Sequence, residues 1–209
     1  TASGFSLRGS HNHLVLCLVP VAGVPMFQWL QLDEITDGTV VCVARNAWMD
    51  VVPTARESML GTLVGAWVSE GWASDERAGF NNTDQRFFDD VVFAYDQLVG
   101  GTRYLSSRRT RIDRKEIFEL DIQQMEEFRD SPLGDVIGHR AATKFVPECI
   151  WDGGWGVKRA FLSACFEGDG GPRVADDGFS IHYTTYSERL GRELQVLLAE
   201  FGVIATRKQ

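Results

Sequence analysis

The 209-residue sequence has no apolar run long enough to span a bilayer, and its first residues, Thr1-Ala2-Ser3-Gly4, lack the charged and apolar regions of a secretory signal. No helical membrane span is expected, and with so few cysteines a reduced, cytoplasmic protein is the expectation. Cysteine is sparse: Cys17, Cys42, Cys149 and Cys165 are never spaced as Cys-x-x-Cys, so neither a disulfide frame nor a zinc site is suggested. The glycine-rich stretches Gly153-Gly154-Trp155-Gly156 and Gly168-Asp169-Gly170-Gly171 are not followed by Gly-Lys-Ser/Thr, which argues against a nucleotide-phosphate loop. Positive charge is also short, with 21 Lys and Arg against 29 Asp and Glu and a net charge of −8. Taken as an average, that opposes binding to nucleic acid. What is present is a folding composition: 44% hydrophobic and 24% charged residues can bury a core and exclude disorder.

Residues 1–57 read as β structure. Leu14 to Val19 is a β-forming run ended by Pro20, Val21 to Pro25 is a turn, Met26 to Leu30 is a second strand, and Val40 to Arg45 is a third. The character changes near residue 57. Ser58 to Glu70 is small or apolar on every side, as in a buried helix, and Gly71 ends it. A hairpin is expected over Trp72 to Asn81, then a helix capped by Thr83-Asp84 that carries Phe87, Phe88, Val91, Val92, Tyr95 and Leu98. A second hairpin spans Arg103 to Arg111 and Lys115 to Ile122, and a short helix follows near 123–129. Residues 131–156 read as loop.

The pattern then begins again. Lys158 to Asp169 reads as a second buried helix, Phe179 to Tyr186 as a strand, and Ser187-Glu188 as the cap of an amphipathic helix with Leu190, Leu194, Leu197, Leu198 and Phe201. Val203 to Thr206 reads as the start of another strand. Leu63 to Gly71 aligns with Leu162 to Gly170 at an offset of 99 residues, which makes this an internal repeat. The order helix, hairpin, helix, hairpin, helix occurs once in full, and the second copy is expected to be incomplete at its C-terminal end.

Both repeat helices end in an acid followed by glycine, Glu70-Gly71 and Asp169-Gly170. A carboxylate opposes the dipole at a helix C-terminus, so its recurrence at matching positions points to chemistry rather than to solvation. Gly61 and Gly65 on the first helix, with Ala160 and Ala164 on the second, would let the two backbones approach closely. Both acids would then emerge at one end. Two adjacent carboxylates repel, and a divalent cation relieves the repulsion while acidifying a bound water and polarising a phosphodiester.

These paired segments resemble the signature helices of the LAGLIDADG homing endonucleases, and the wider chain resembles the endonuclease-bearing inteins found in the A subunit of bacterial DNA gyrase. Gly9 to Leu18 with Val21 to Pro25 is similar to the splicing block of such inteins, which places His13 at the splicing histidine. Ala78 to Asp84, Lys144-Phe145-Val146-Pro147-Glu148 and Tyr183 to Leu190 are similar to the endonuclease part. The resemblance implies an α+β fold, α/β in the broad sense, with a pseudo-twofold repeat of helix-hairpin-helix-hairpin-helix. It implies a splicing-domain remnant over residues 1–57, a first lobe over 58–157 and a second over 158–209. It further implies Glu70 and Asp169 as catalytic metal ligands, aided by Gly71 and Gly170, with Mg²⁺ as cofactor and Mn²⁺ as a substitute. Lys144 would be the basic group near the scissile phosphate, a placement that suits the charge of the transition state. Ser10 and Leu14 replace the usual Thr and Pro of the histidine block, Thr1 and Gln209 are not splicing termini, and splicing by this chain alone is not expected.

The charge average hides one basic cluster. Arg103, Arg108, Arg109, Arg111, Arg114 and Lys115 face only Asp113 over thirteen residues, a local charge of +5 on the second hairpin. A two-stranded ribbon fits the DNA major groove and arginine reads guanine edges well. Arg103, Arg108, Arg109, Arg111 and Lys115 are therefore candidate contacts to double-stranded DNA, in a monomer with pseudo-twofold symmetry. His11-Asn12-His13 is not an HNH nuclease motif, and a metal site from His11, His13 and Cys17 is disfavoured. Two other readings stay open: a nucleic-acid-binding relic without cleavage, and one fragment of a split intein that needs a complementing chain.

Overall fold

The computed structural model describes residues 1–46, 51–110, 114–175 and 178–208. They fall into two compact units, Thr1–Met49 with Leu198–Gln209, and Asp50–Leu197. Arg111 lies outside the described residues. No described helix is long and apolar enough to cross a membrane.

The first unit is built on an antiparallel hairpin, β1 (Leu14–Val21) and β2 (Val24–Gln31), in register from Leu14 opposite Gln31 to Val21 opposite Val24. Ala22 and Gly23 make the two-residue turn with φ of 51° and 84°, the left-handed pair that matches strand twist. A short β3 (Val40–Val41) pairs with β1 on its other edge. The C-terminal residues join this unit through Arg207, whose guanidinium donates to the Gly4 carbonyl at 2.7 Å. The strand expected over Val203 to Thr206 does not form. The Val203 amide turns back to the Leu198 carbonyl, the Arg207 amide bonds Ser3, and no described strand offers the segment a ladder.

The second unit is organised by two parallel helices, α1 (Ala55–Ser69) and α5 (Trp155–Asp169). α1 starts three residues before the expected Ser58, because the Thr54 hydroxyl accepts the Glu57 amide while the Glu57 carboxylate accepts the Thr54 amide, a reciprocal cap. A Cβ added at Gly61 would lie 2.6 Å from Ala160 Cβ, and one at Gly65 would lie 2.8 Å from Ala164 Cβ. Glu57 meets Gly156 and Ser69 meets Gly168 in the same way. All four pairs are 99 residues apart, so the offset of the sequence repeat is also the spatial register of the helix pair.

α1 is followed by β4 (Trp72–Ala73) and β5 (Ala78–Asn82), by α2 (Gln85–Leu98) capped by Asp84, and by the long ribbon β6 (Arg103–Arg109) and β7 (Glu116–Ile122). The four strands form one antiparallel sheet in the order β4-β5-β7-β6. Its inner face carries Ala73, Ala78, Phe80, Leu120 and Ile122, all buried. Trp67 of α1 sits at the centre of this core, with ring centroids 5.8 Å from Phe80, 6.1 Å from Tyr95 and 5.7 Å from Phe128. Each such buried side chain contributes roughly 1.5–3 kcal/mol. Two short helices, α3 (Glu126–Arg129) and α4 (Glu148–Trp151), lie in the connection to α5.

After α5 the chain enters a second ribbon, β8 (Gly170–Ala175) and β9 (Gly178–Tyr183), then α6 (Glu188–Glu200). Gly170 both ends the helix and begins the strand, with no loop between them. The result is an α+β architecture with antiparallel sheets, its repeat units joined through the α1–α5 contact.

Candidate active site and nucleic-acid interface

The site forms where α1 and α5 end together. Ser69 packs against Gly168, and the next pair in the same register is Glu70 and Asp169. Glu70 is the C-cap of α1, its amide bonded to the Ala66 carbonyl at 2.9 Å. Gly71 must be glycine, because a Cβ there would come within 2.6 Å of Trp67. A Cβ at Gly170 would likewise run into the Phe166 carbonyl. Both acid-glycine pairs thus let the chain turn tightly off a helix end and leave the acid at the rim.

Lys144 reaches this rim from the connection between the repeats. It follows a 3₁₀ turn (Ala141–Thr143), and its Nζ donates to the Ser69 carbonyl at 2.6 Å. Three ionisable groups of both signs therefore share one half-buried space. Burial pushes the Glu70 carboxyl up, the Asp169 charge pushes it further, and Lys144 counteracts. Burial also raises Asp169, opposed by Lys144 and by the Tyr183 hydroxyl, which donates to Asp169 Oδ2 at 3.4 Å. Burial lowers the Lys144 ammonium, opposed by Asp169 and Glu70.

Among the described residues no group of three or more His, Cys, Asp and Glu could hold a metal ion. Two carboxylates are nevertheless a donor set that suits Mg²⁺, which keeps most of its waters and is commonly held by one or two carboxylates with substrate phosphate. The raised carboxyls are chemically consistent with this, since a divalent cation would stabilise the ionised forms that burial disfavours.

The expected DNA contacts separate onto the two faces of the β6–β7 ribbon. Arg103 shares the inner face with Leu105 and clamps Asp96 of α2 by two bonds of 2.5 and 2.6 Å. Arg108 lies on the outer face and pairs with Glu119 at 2.7 Å. Arg109, at the end of β6, is exposed and opposite Glu116, and Lys115 is exposed at the start of the returning segment. The outer face also presents Trp72, Asn81, Tyr104, Ser106 and Asp121, the last bound by Arg77 at 2.8 Å. His13 is far from this chemistry in sequence. It lies exposed just before β1 in the first unit, its amide bonded to Ser10 and its carbonyl to the Leu32 amide.

Tyr183 and Ser187 were not expected among the site residues. Ser187 had a visible role as a helix cap, but its second partner, the Lys144 carbonyl, is 43 residues away. Nothing local in the sequence signals that contact.

A family model described as a LAGLIDADG-like domain matches residues 156–209. The C-terminal quarter of the chain is thus similar to a LAGLIDADG-like domain. It takes in α5 with Asp169, the β8–β9 ribbon and α6, and α1 with Glu70 repeats its helix at the 99-residue register. The chain is 42% identical over 99% of its length to the A subunit of DNA gyrase from Mycolicibacterium flavescens, and equally to that from Mycobacterium malmoense. It spans 38% and 44% of those relatives, about two fifths of their length. A DNA polymerase of Thermococcus sp. (strain GE8) is 29% identical over 69% of this chain, which covers 8% of the polymerase. Among solved structures, the N-terminal LAGLIDADG domain of DUF199/WhiA is similar with a TM-score of 0.47 and 15% identity, over 71% of this chain and 68% of that one.

Proposed function

We propose that this chain is the endonuclease-bearing part of an intein, and that it cuts both strands of DNA at a specific site in an intein-free allele, that of a gyrase A gene, leaving short 3′ overhangs. The observation that carries the reading is the convergence of Glu70, Asp169 and the Lys144 ammonium at the common end of two helices in repeat register. The relatives support the intein part: one stretch of sequence resembles segments of a DNA gyrase and of a DNA polymerase, two proteins with no shared activity to explain it. A segment that inserts into different hosts accounts for that distribution. On this reading residues 1–57 are the splicing-domain remnant that includes His13, and 58–157 and 158–209 are the two lobes.

In the mechanism, Glu70 and Asp169, with Gly71 and Gly170, would hold Mg²⁺, which when bound would supply an acidified water and polarisation of the scissile phosphate. Lys144 brings a positive charge to the phosphate as negative charge builds in the transition state, and its bond to the Ser69 carbonyl fixes the direction of its approach. Tyr183 orients the Asp169 carboxylate. Trp67 and the packed aromatic core behind the helix ends exclude water from below the site. The outer face of the sheet meets the duplex through Arg108, and the charges of Arg109, Arg111 and Lys115, near the ribbon's turn in sequence, add to its attraction.

The test is cleavage of a supercoiled plasmid that carries an intein-free gyrase A segment, with Mg²⁺ or with EDTA. One Mg²⁺-dependent double-strand cut, lost in Glu70→Gln and in Asp169→Asn, is the expected result. Specific binding without any cut would instead establish a binding relic. A second reading, completion of the second lobe by another segment or chain, is favoured by one observation. The β8–β9 ribbon exposes Val174, Phe179 and Ile181 on one face, each with 65% or more of its surface accessible. Gel filtration with a candidate complementing fragment distinguishes the two.

A further inference from the structure

We propose that Ser187 and Glu193, at the start of α6 and within it, are positioning residues that hold Lys144 in its working place. The proposal rests on the nuclease reading of the Glu70–Asp169–Lys144 site and extends it to the element that aims the lysine.

Three consecutive residues of the lysine segment are each gripped by α6 and its cap. The Ser187 hydroxyl donates to the Lys144 carbonyl at 2.6 Å. The Val146 amide donates to Glu193 Oε2 at 2.7 Å. Between them the Arg189 guanidinium lies 4.4 Å above the Phe145 ring, and Arg189 Nε is held by Glu193 Oε1 at 2.7 Å. On its other side Phe145 meets the edge of His139 at 4.8 Å, and His139 Nδ1 lies 3.0 Å from the Thr143 carbonyl.

A lysine side chain has four rotatable bonds, so its ammonium is placed only if its main chain is fixed. Residues 141–147 contain one 3₁₀ turn and no longer helix or strand to do this. Ser187 is 1% exposed and its hydroxyl is used twice: it accepts the Leu190 amide at 3.1 Å, which caps α6, and donates to Lys144. The bond that starts the helix of the second repeat is therefore shared with the segment that aims the lysine. Small displacements matter here, since a shift of about 1 Å in a positioned group costs about a hundred-fold in rate.

The experiment compares Ser187→Ala, Ser187→Thr, Glu193→Ala and Glu193→Gln by two readouts. Hydrogen exchange at the Val146 amide reports the clamp without reference to cleavage. Single-turnover cutting at saturating target DNA reports its consequence. The expected result is Val146 exchange about tenfold faster in both alanine variants, and cutting slower by about ten- to a hundred-fold with target affinity unchanged. Ser187→Thr and Glu193→Gln, which keep the hydroxyl and the acceptor, restore both. In a Lys144→Met background Ser187→Ala causes no further loss, which a general structural defect would not reproduce. Unchanged Val146 exchange in both alanine variants overturns the clamp, and so does unchanged cutting. If the unmodified chain binds but never cuts while Val146 still responds, the nuclease reading falls and the clamp stands.

Discussion

The ammonium of Lys144 is bonded to the main-chain carbonyl of Ser69, the residue directly before Glu70, at 2.6 Å. The positive group of the site is thereby tied to the backbone of the helix that ends in one of its two acids. Its place is fixed without a direct ion pair, which leaves the carboxylates available. Lys144→Met is expected to lower the single-turnover cleavage rate by about 10²–10³-fold, with DNA affinity within a few-fold of the unmodified chain. Lys144→Arg is expected to recover little, because a planar guanidinium cannot take the same single bond in the same space.

The two acids should weigh on stability. Burial raises Glu70 and Asp169 above their ordinary values, so between the ordinary and the raised values the folded chain keeps protons that the unfolded chain has released. Their ionisation therefore opposes folding at neutral pH, and the penalty fades as pH falls into the carboxylate range. Glu70→Gln and Asp169→Asn, each made singly so that Lys144 keeps one partner, are expected to melt higher than the unmodified chain at neutral pH. The difference closes towards acid pH, with about 2–4 °C for each kcal/mol released. Mg²⁺ is expected to raise the melting temperature of the unmodified chain and to have less effect on either variant. Calorimetry across pH with and without the ion checks all of these outcomes.

The helix contact tolerates no added atom. Alanine normally stabilises a helix over glycine by about 0.5–1 kcal/mol. At Gly61 its Cβ would fall 2.5 Å from the Val157 carbonyl oxygen, and at Gly65 2.6 Å from that of Phe161. Gly61→Ala and Gly65→Ala are therefore expected to lose about 1–3 kcal/mol by denaturant titration. Both should also slow cleavage, because separation of the helices moves Glu70 from Asp169.

The arginines of the ribbon should divide into two kinds. Arg103→Ala is expected to cost about 1 kcal/mol of stability through loss of the Asp96 clamp, with little change in DNA affinity. Arg108→Ala is expected to leave stability unchanged and to weaken target binding by about 1–3 kcal/mol. Glu119 masks Arg108 on the outer face. Glu119→Gln is thus expected to tighten binding to random duplex and to steepen its salt dependence by about 0.9 per phosphate gained. Titrations at several salt concentrations separate these outcomes.

The strongest parts of this architecture were legible from periodicity and repetition. The small residues Gly61, Gly65, Ala160 and Ala164 announced a close helix contact, and the common offset announced its register. The Asp84 cap and the stripe from Phe87 to Tyr95 likewise located α2. Boundaries set by side chains were harder. The Thr54–Glu57 cap follows Pro53, where the apolar signal has not yet begun. β8 was hidden because Gly170-Gly171-Pro172 has a turn composition, and only pairing with β9 makes it a strand. Val203 to Thr206 has strand composition but takes other partners for its backbone. At the site, the acids came from the repeated acid-glycine helix ends and Lys144 from the resemblance to the endonuclease family. Neither gave Tyr183 or Ser187 a role at the site, since what matters about each is a partner many residues away.

The β8–β9 ribbon is anchored at its base by Tyr183, which bonds Asp169 and packs on Phe166. It leaves α5 at Gly170 and returns at Ser187, where the chain is tied to Lys144. The exposed residues Val174, Phe179 and Ile181 of the ribbon lie apart from the Tyr183–Asp169 bond at its base. On the proposed function, the exposed strand residues could diverge towards new targets while the helix ends that carry Glu70 and Asp169 stay as they are.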